Sequence, residues 1–169
     1  SRLAGAGNVT AVSGLDMHLV ETTGDLGLNM VTVGAGTAFI KAPTDSIFNR
    51  RSTPPEEGPN VLSGNVWLFA SEDIGENGTP IITEVGNIES WSQGGSTYVV
   101  NKGALTVGGV PGTTSDKGME AGGSIYLGAT SPITIDESKS AGSEIVIVSL
   151  DDNIDTDIDG MATSSKDDD

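Results

Sequence analysis

The sequence predicts an all-β fold, a parallel β-helix whose repeated rungs stack into a rod, with an antiparallel β-sandwich as the alternative. Three observations carry that expectation. Apolar residues alternate or come in short runs, and helical periodicity is weak throughout. Glycine supplies 24 of the 169 residues while aromatics are only 4%, a composition suited to short strands and tight turns. Segments also repeat. STYVVNKGALTV (Ser96–Val107) lies over SIYLGATSPITI (Ser124–Ile135) without a gap at an offset of 28. One strand–corner–strand unit cannot bury its apolar side chains alone, whereas stacked copies make a continuous core. A sandwich also has many short strands and glycine-rich turns.

In chain order the expected strands are Asn8–Val12, Asp16–Val20, Leu26–Val33, Ala38–Lys41, Val66–Ala70, Ile81–Val85 and Ile88–Trp91. Then come Thr97–Val100, Ala104–Val107, Ser124–Leu127, Ile133–Ile135 and Glu144–Leu150. Gly-Gly, Asn-Gly, Gly-Asn and Pro-Gly turn signals lie between them. The 28-residue offset sets Thr97 against Ile125, Tyr98 against Tyr126, Leu105 against Ile133 and Phe39 against Trp67. A looser pairing about 20 apart relates SIYLGATSPITI to EIVIVSLDDNIDTDI. Inward ladders are expected from Val66, Leu68 and Ala70, from Val99, from Ile125 and Leu127, and from Ile145 and Ile147. A repeat of this length gives roughly 6–8 rungs. Residues 1–163 form one β-helical domain, in which the proline-rich segment 49–60 (NRRSTPPEEGPN) is an exposed loop, and 164–169 form a flexible acidic tail. Ser1-Arg2 reads as a cloning scar or internal boundary, so a piece of something longer is expected.

Charge and composition exclude several functions. With 8 basic against 24 acidic residues the net charge is −16, so clustered cations for nucleic acid or an anionic membrane are missing. Cysteine is absent and His18 is the only histidine, which removes thiolate chemistry and histidine-based triads or metal sites. No apolar run approaches the ~20 residues of a membrane span, so membrane insertion is not expected, and no signal peptide is visible. The acid pairs Glu56-Glu57, Asp136-Glu137 and Asp151-Asp152 could in principle do glycosidase work. Adjacent acids in turns are usually just solvated, and Arg50-Arg51, the only basic pair, is followed closely by two Glu. A non-enzymatic protein is expected.

GNVWLFASEDIGENGTPI, GSTYVVNKGALTVGGV, GGSIYLGATSPITI and GSEIVIVSLDDNIDTDIDG resemble filamentous-haemagglutinin-type repeats of large secreted bacterial adhesins. In that family a Gly-Gly or Gly-Asn turn leads into a valine-rich strand, a "DIG"-type corner and an "LTVG"-like strand. The resemblance covers about Asn8 to Gly160. It implies a right-handed parallel β-helix, secretion, a cell-surface location and a structural or adhesive role as a rod or filament stalk. Neighbouring copies or flanking repeats are the partners so implied. It transfers no catalytic residue.

Two site expectations remain. Asp155, Asp157 and Asp159, followed by Gly160, open like an EF-hand calcium loop, since alternate carboxylates can converge on a hard cation. Position 12 of that loop would be Lys166 instead of the usual Glu, so weak calcium binding or a merely repulsive outward row are both open. Trp67, Tyr98 and Tyr126 would point outward and could stack on cell-surface glycans, unless a corner loop such as 49–60 covers them. Such contacts would make the chain a calcium-dependent carbohydrate-binding module. His18 alternates with Met17 and Leu19 and reads as an ordinary surface residue.

Overall fold

A computed structural model of the protein describes residues 8–51, 58–113 and 117–149. They form sixteen strands and no helix. The first two rungs are β1 (Asn8–Ser13) with β2 (Met17–Val20), and β3 (Leu26–Val33) with β4 (Thr37–Ala42). The third is β5 (Ile47–Asn49), β6 (Val61–Leu62) and β7 (Asn65–Ala70); the fourth is β8 (Ile81–Glu84) and β9 (Asn87–Ser92). Next come β10 (Thr97–Asn101), β11 (Leu105–Val107) and β12 (Lys117–Ala121), then β13 (Ile125–Ala129), β14 (Ile133–Ile135) and β15 (Ser138–Ala141). β16 (Ile145–Ser149) starts a seventh level.

Successive rungs pair in parallel in two sheets. One runs β1-β3-β6-β8-β10-β13-β16, with β5 beside β3; the other includes β2-β4-β7-β9-β11-β14, with β12 and β15 continuing beside β9. Seven levels at the parallel spacing of ~4.8 Å give a stack about 30 Å tall. The architecture is an all-β, solenoid-like stack, and the sandwich alternative fails because every named strand pair is parallel. The sequence offset is the physical register. Tyr98 pairs with Tyr126, Leu105 with Ile133 and Phe39 with Trp67, while Ile125 pairs with Ile145 at the shorter step of 20.

Alternation explains the core. Val66, Leu68, Ala70, Val99, Ile125 and Leu127 point between the sheets and are fully buried. Ile145, expected inward with them, is 42% exposed, because it sits on the last described level and no described rung stacks beyond it. Corners are held by a relay of short polar side chains. Asp25 Oδ1 accepts from the Ser46 N–H, Ser46 Oγ from Asp73, Asp73 Oδ1 from Ser96, and Ser96 Oγ from Ser124. Each corner thereby caps an amide of the next, which satisfies backbone groups that no ladder reaches. Glycine is needed where corners touch: a Cβ on Gly64 would stand 2.5 Å from the Ala35 carbonyl oxygen one rung below.

Two rungs are opened by insertions. Segment 50–60 interrupts the strand that β5 and β6 share opposite continuous β3, and 108–116 separates β11 from β12 opposite continuous β9. The expectation of an exposed loop over 49–60 needs correction at its ends. Asn49 belongs to β5, Arg50 and Arg51 are half-buried, and Asn60 is fully buried because it bonds to three neighbouring segments. Residues 52–57 and the acidic tail 164–169 lie outside the described residues.

Candidate functional site

On the outer face of the second sheet, the in-register column His18, Phe39, Trp67, Glu89 climbs four rungs. His18 and Phe39 stack with ring centroids 4.5 Å apart, and Trp67 stacks on Phe69 of its own strand at 6.0 Å. Phe69 meets Trp91 edge-on at 5.2 Å, and the Lys41 ammonium lies 4.6 Å from the Trp67 ring centre. Trp91 remains 41% exposed. Such ring pairs each add about 0.5–1.5 kcal/mol beyond their area burial, so the row stiffens the face as well as presenting it.

The column ends where β9 meets the 108–116 insertion. Residues 108–113 fold back down the face: Gly112 packs near the tip of the Phe39 ring, where a Cβ would stand 3.1 Å from Cζ. This segment reaches back along the column that holds Trp67, while residues 52–57 of the other insertion lie outside the described residues. At its root, Glu89 Oε1 accepts the Val110 N–H at 2.8 Å and Glu137 Oε1 accepts the Gly109 N–H at 3.1 Å. The two carboxylates come from the rungs on either side of the opened one and replace ladder acceptors lost there. Asn87 completes the root by donating from Nδ2 to Gly108 O at 2.9 Å.

Each carboxylate is only half satisfied. Glu89 is 1% exposed, and its Oε2, like the buried Oε2 of Glu137, has no hydrogen-bond partner among the described residues. Burial pushes the Glu89 carboxyl above its ordinary value, with repulsion from Glu137 adding to the rise. The neighbouring Thr113 hydroxyl and the Val110 amide partly oppose it. The Thr113 hydroxyl itself donates to Val110 O at 2.9 Å.

Tyr98 and Tyr126 lie on the outer face of the other sheet, stacked at 4.7 Å with ring planes nearly parallel. The Tyr126 hydroxyl donates to Glu144 Oε2 at 3.2 Å. The structure therefore separates Trp67 from the tyrosine pair, and the three cannot form one platform. Arg50 lies over Phe48 and pairs with Glu76 at 3.9 Å, while Arg51 Nη1 donates to Pro59 O at 2.6 Å. That basic pair is engaged in holding an insertion. Asp155, Asp157 and Asp159, and the acid pairs Glu56-Glu57 and Asp151-Asp152, lie outside the described residues.

Glu89 was not legible as a site. An acid on the outward face of a strand, two residues before Trp91, reads as a solvated charge. The available signal was the Gly-Gly-Val-Pro-Gly-Thr run of 108–113, which marks an insertion but not where it folds. No protein-family model, curated protein or solved structure matches this chain.

Proposed function

We propose that the chain is a non-enzymatic structural segment of a large secreted or cell-surface protein. In this reading it is a right-handed β-helix of the filamentous-haemagglutinin type, serving as a rigid, adhesive rod or filament stalk. The observation that carries it is the state of the two ends. Among the described residues no strand covers the outer edges of β1 and β16, and apolar side chains gather beside them. Val12 is 73% exposed and Leu15 80% at one end; Ile135 and Ile145 are about 40% exposed at the other (39% and 42%). Unpaired parallel edges with apolar surroundings template further pairing. Their partners are flanking rungs or a second copy of the chain. Light scattering over a concentration series tests this. Mass should grow with concentration, and a strictly monomeric species at high concentration would overturn the stacking role.

A second reading, a calcium-dependent carbohydrate-binding module, draws on the aromatic face, where half-exposed rings lie beside the Lys41 ammonium. Aromatic faces stack on sugar rings, so glycan titration followed by tryptophan fluorescence should then give saturable quenching that Trp91→Ala removes. Flat titrations across neutral and acidic glycans would remove this reading and leave the rod untouched.

A further inference from the structure

We propose that Glu89 and Glu137, at the root of the 108–113 loop, form a low-affinity divalent-cation site suited to calcium. The proposal does not depend on the rod reading. Three observations converge on it. The carboxylates are pinned by consecutive amides, Gly109 and Val110, which brings acids from two different rungs together. Each commits one oxygen to its amide and leaves the other buried without a partner. Glu89 is almost wholly buried, so water does not supply the missing donor freely.

Hard cations take oxygen ligands, and calcium accepts irregular sets of 6–8 with water filling the remainder. Two free carboxylate oxygens are the ligands that such a set builds on, and the Thr113 hydroxyl stands beside Glu89 as a third oxygen. With so few protein ligands the dissociation constant belongs in the weak extracellular range, about 10⁻⁴–10⁻³ M. A bound cation would tie together rungs four, five and six where the ladder is broken.

The chain's two tryptophans provide the readout. Trp67 is the cross-strand neighbour of Glu89, and Trp91 follows two residues later on the same face. Terbium bound at this site should emit when excited through tryptophan, and calcium should quench that emission at lower concentration than magnesium at equal ionic strength. Glu89→Gln keeps an acceptor for Val110 and places an N–H donor where Oε2 stood, so it should fold; Glu137→Gln does the same for Gly109. Both variants should lose the sensitised emission, with folding checked by circular dichroism. Should one of them fail to fold, the other carries the same test. The triple change Asp155→Asn, Asp157→Asn, Asp159→Asn should retain the emission. Persistence of the emission in the glutamine variants overturns the site. So does its loss in the triple variant alone, or equal competition by calcium and magnesium, which would mark a screened surface.

Discussion

The two insertions solve the same problem with different chemistry. Each opens a rung opposite a continuous strand and leaves backbone groups at the break without ladder partners. On the first sheet the break is closed by Asn60. Its backbone N–H donates to Ile82 O and its carbonyl accepts from Val31, both at 2.7 Å. Its side chain donates to Leu28 O at 3.0 Å and to Asn49 Oδ1 at 2.9 Å, and accepts from Ile82 N at 2.9 Å. An amide both donates and accepts, so a buried asparagine can satisfy mixed neighbours. On the second sheet the break is closed by carboxylates, which only accept while ionised. They satisfy the Gly109 and Val110 amides and strand an oxygen each. The neutral plug is complete within the protein; the charged one leaves two acceptor oxygens for the proposed cation to fill.

Exchanging the chemistry should have the largest effect. Asn60→Asp keeps the acceptor for Ile82 but turns acceptor oxygens toward Leu28 O and Asn49 Oδ1, burying an uncompensated charge. Such charges cost about 3–5 kcal/mol, and urea titration should show that loss. Asn60→Ala should cost less, about 1–3 kcal/mol, because Leu28 O keeps the Arg50 amide and Asn49 Oδ1 keeps that of Arg51. The Ile82 amide loses its side-chain acceptor, and Asn29 O loses a long bond of 3.4 Å. An alanine variant less stable than the aspartate one would mean that Asn60 acts by shape and not by its two-way hydrogen bonding.

Most of the fold was legible because a parallel stack writes its register into the sequence. Tyr98 over Tyr126 and Phe39 over Trp67 follow from a constant offset, and alternation then assigns the inward face. Four strands were not foreseen: β5, β6, β12 and β15. β5 and β6 are three and two residues long because an insertion splits them, and β12 (KGMEA) and β15 (SKSA) are too polar to announce a strand. They are strands because neighbouring rungs offer them edges. The candidate site was illegible for a related reason. Glu89 is buried by a segment about 20 residues downstream that folds back toward Phe39, three rungs away, and no local pattern in β9 records that.

A smaller effect separates the two loops through their glycines. Gly108 has φ of 107°, and a Cβ there would stand 2.6 Å from Glu137 Cγ. Gly58 has φ of 135°, but its Cβ would come no closer than 3.5 Å to anything, the nearest being the Arg51 guanidinium. Both alanine variants meet the left-handed backbone cost of about 1–2 kcal/mol. Gly108→Ala should add to it by displacing Glu137 from the Gly109 amide. Thermal melts should rank Gly108→Ala below Gly58→Ala, and calcium should stabilise only the latter. Equal melts with equal calcium responses would show that Glu137 is not held by that turn.

The smallest effect concerns the charged plug when no cation is present. In chelator, Glu89→Gln removes the repulsion from Glu137 and supplies a donor, at a gain of about 0.5–1 kcal/mol, the worth of one ordinary hydrogen bond. Its pH dependence follows from the raised Glu89 value, whose first cause is burial. An acid whose folded-state pKa lies above its unfolded-state pKa holds its proton more tightly when folded. Stability is then highest below the ordinary glutamate range and falls as pH rises through the raised value. Glutamine at this position does not titrate. The gain from Glu89→Gln should therefore be small in acid and open toward neutral pH, and saturating calcium at neutral pH should reverse it by stabilising only the native glutamate. Parallel melts across paired pH values, with chelator and with calcium, measure this difference free of the chain's other carboxylates. A gap that stays constant with pH would mean that Glu89 is not strained by its charge, and that its second oxygen needs no cation.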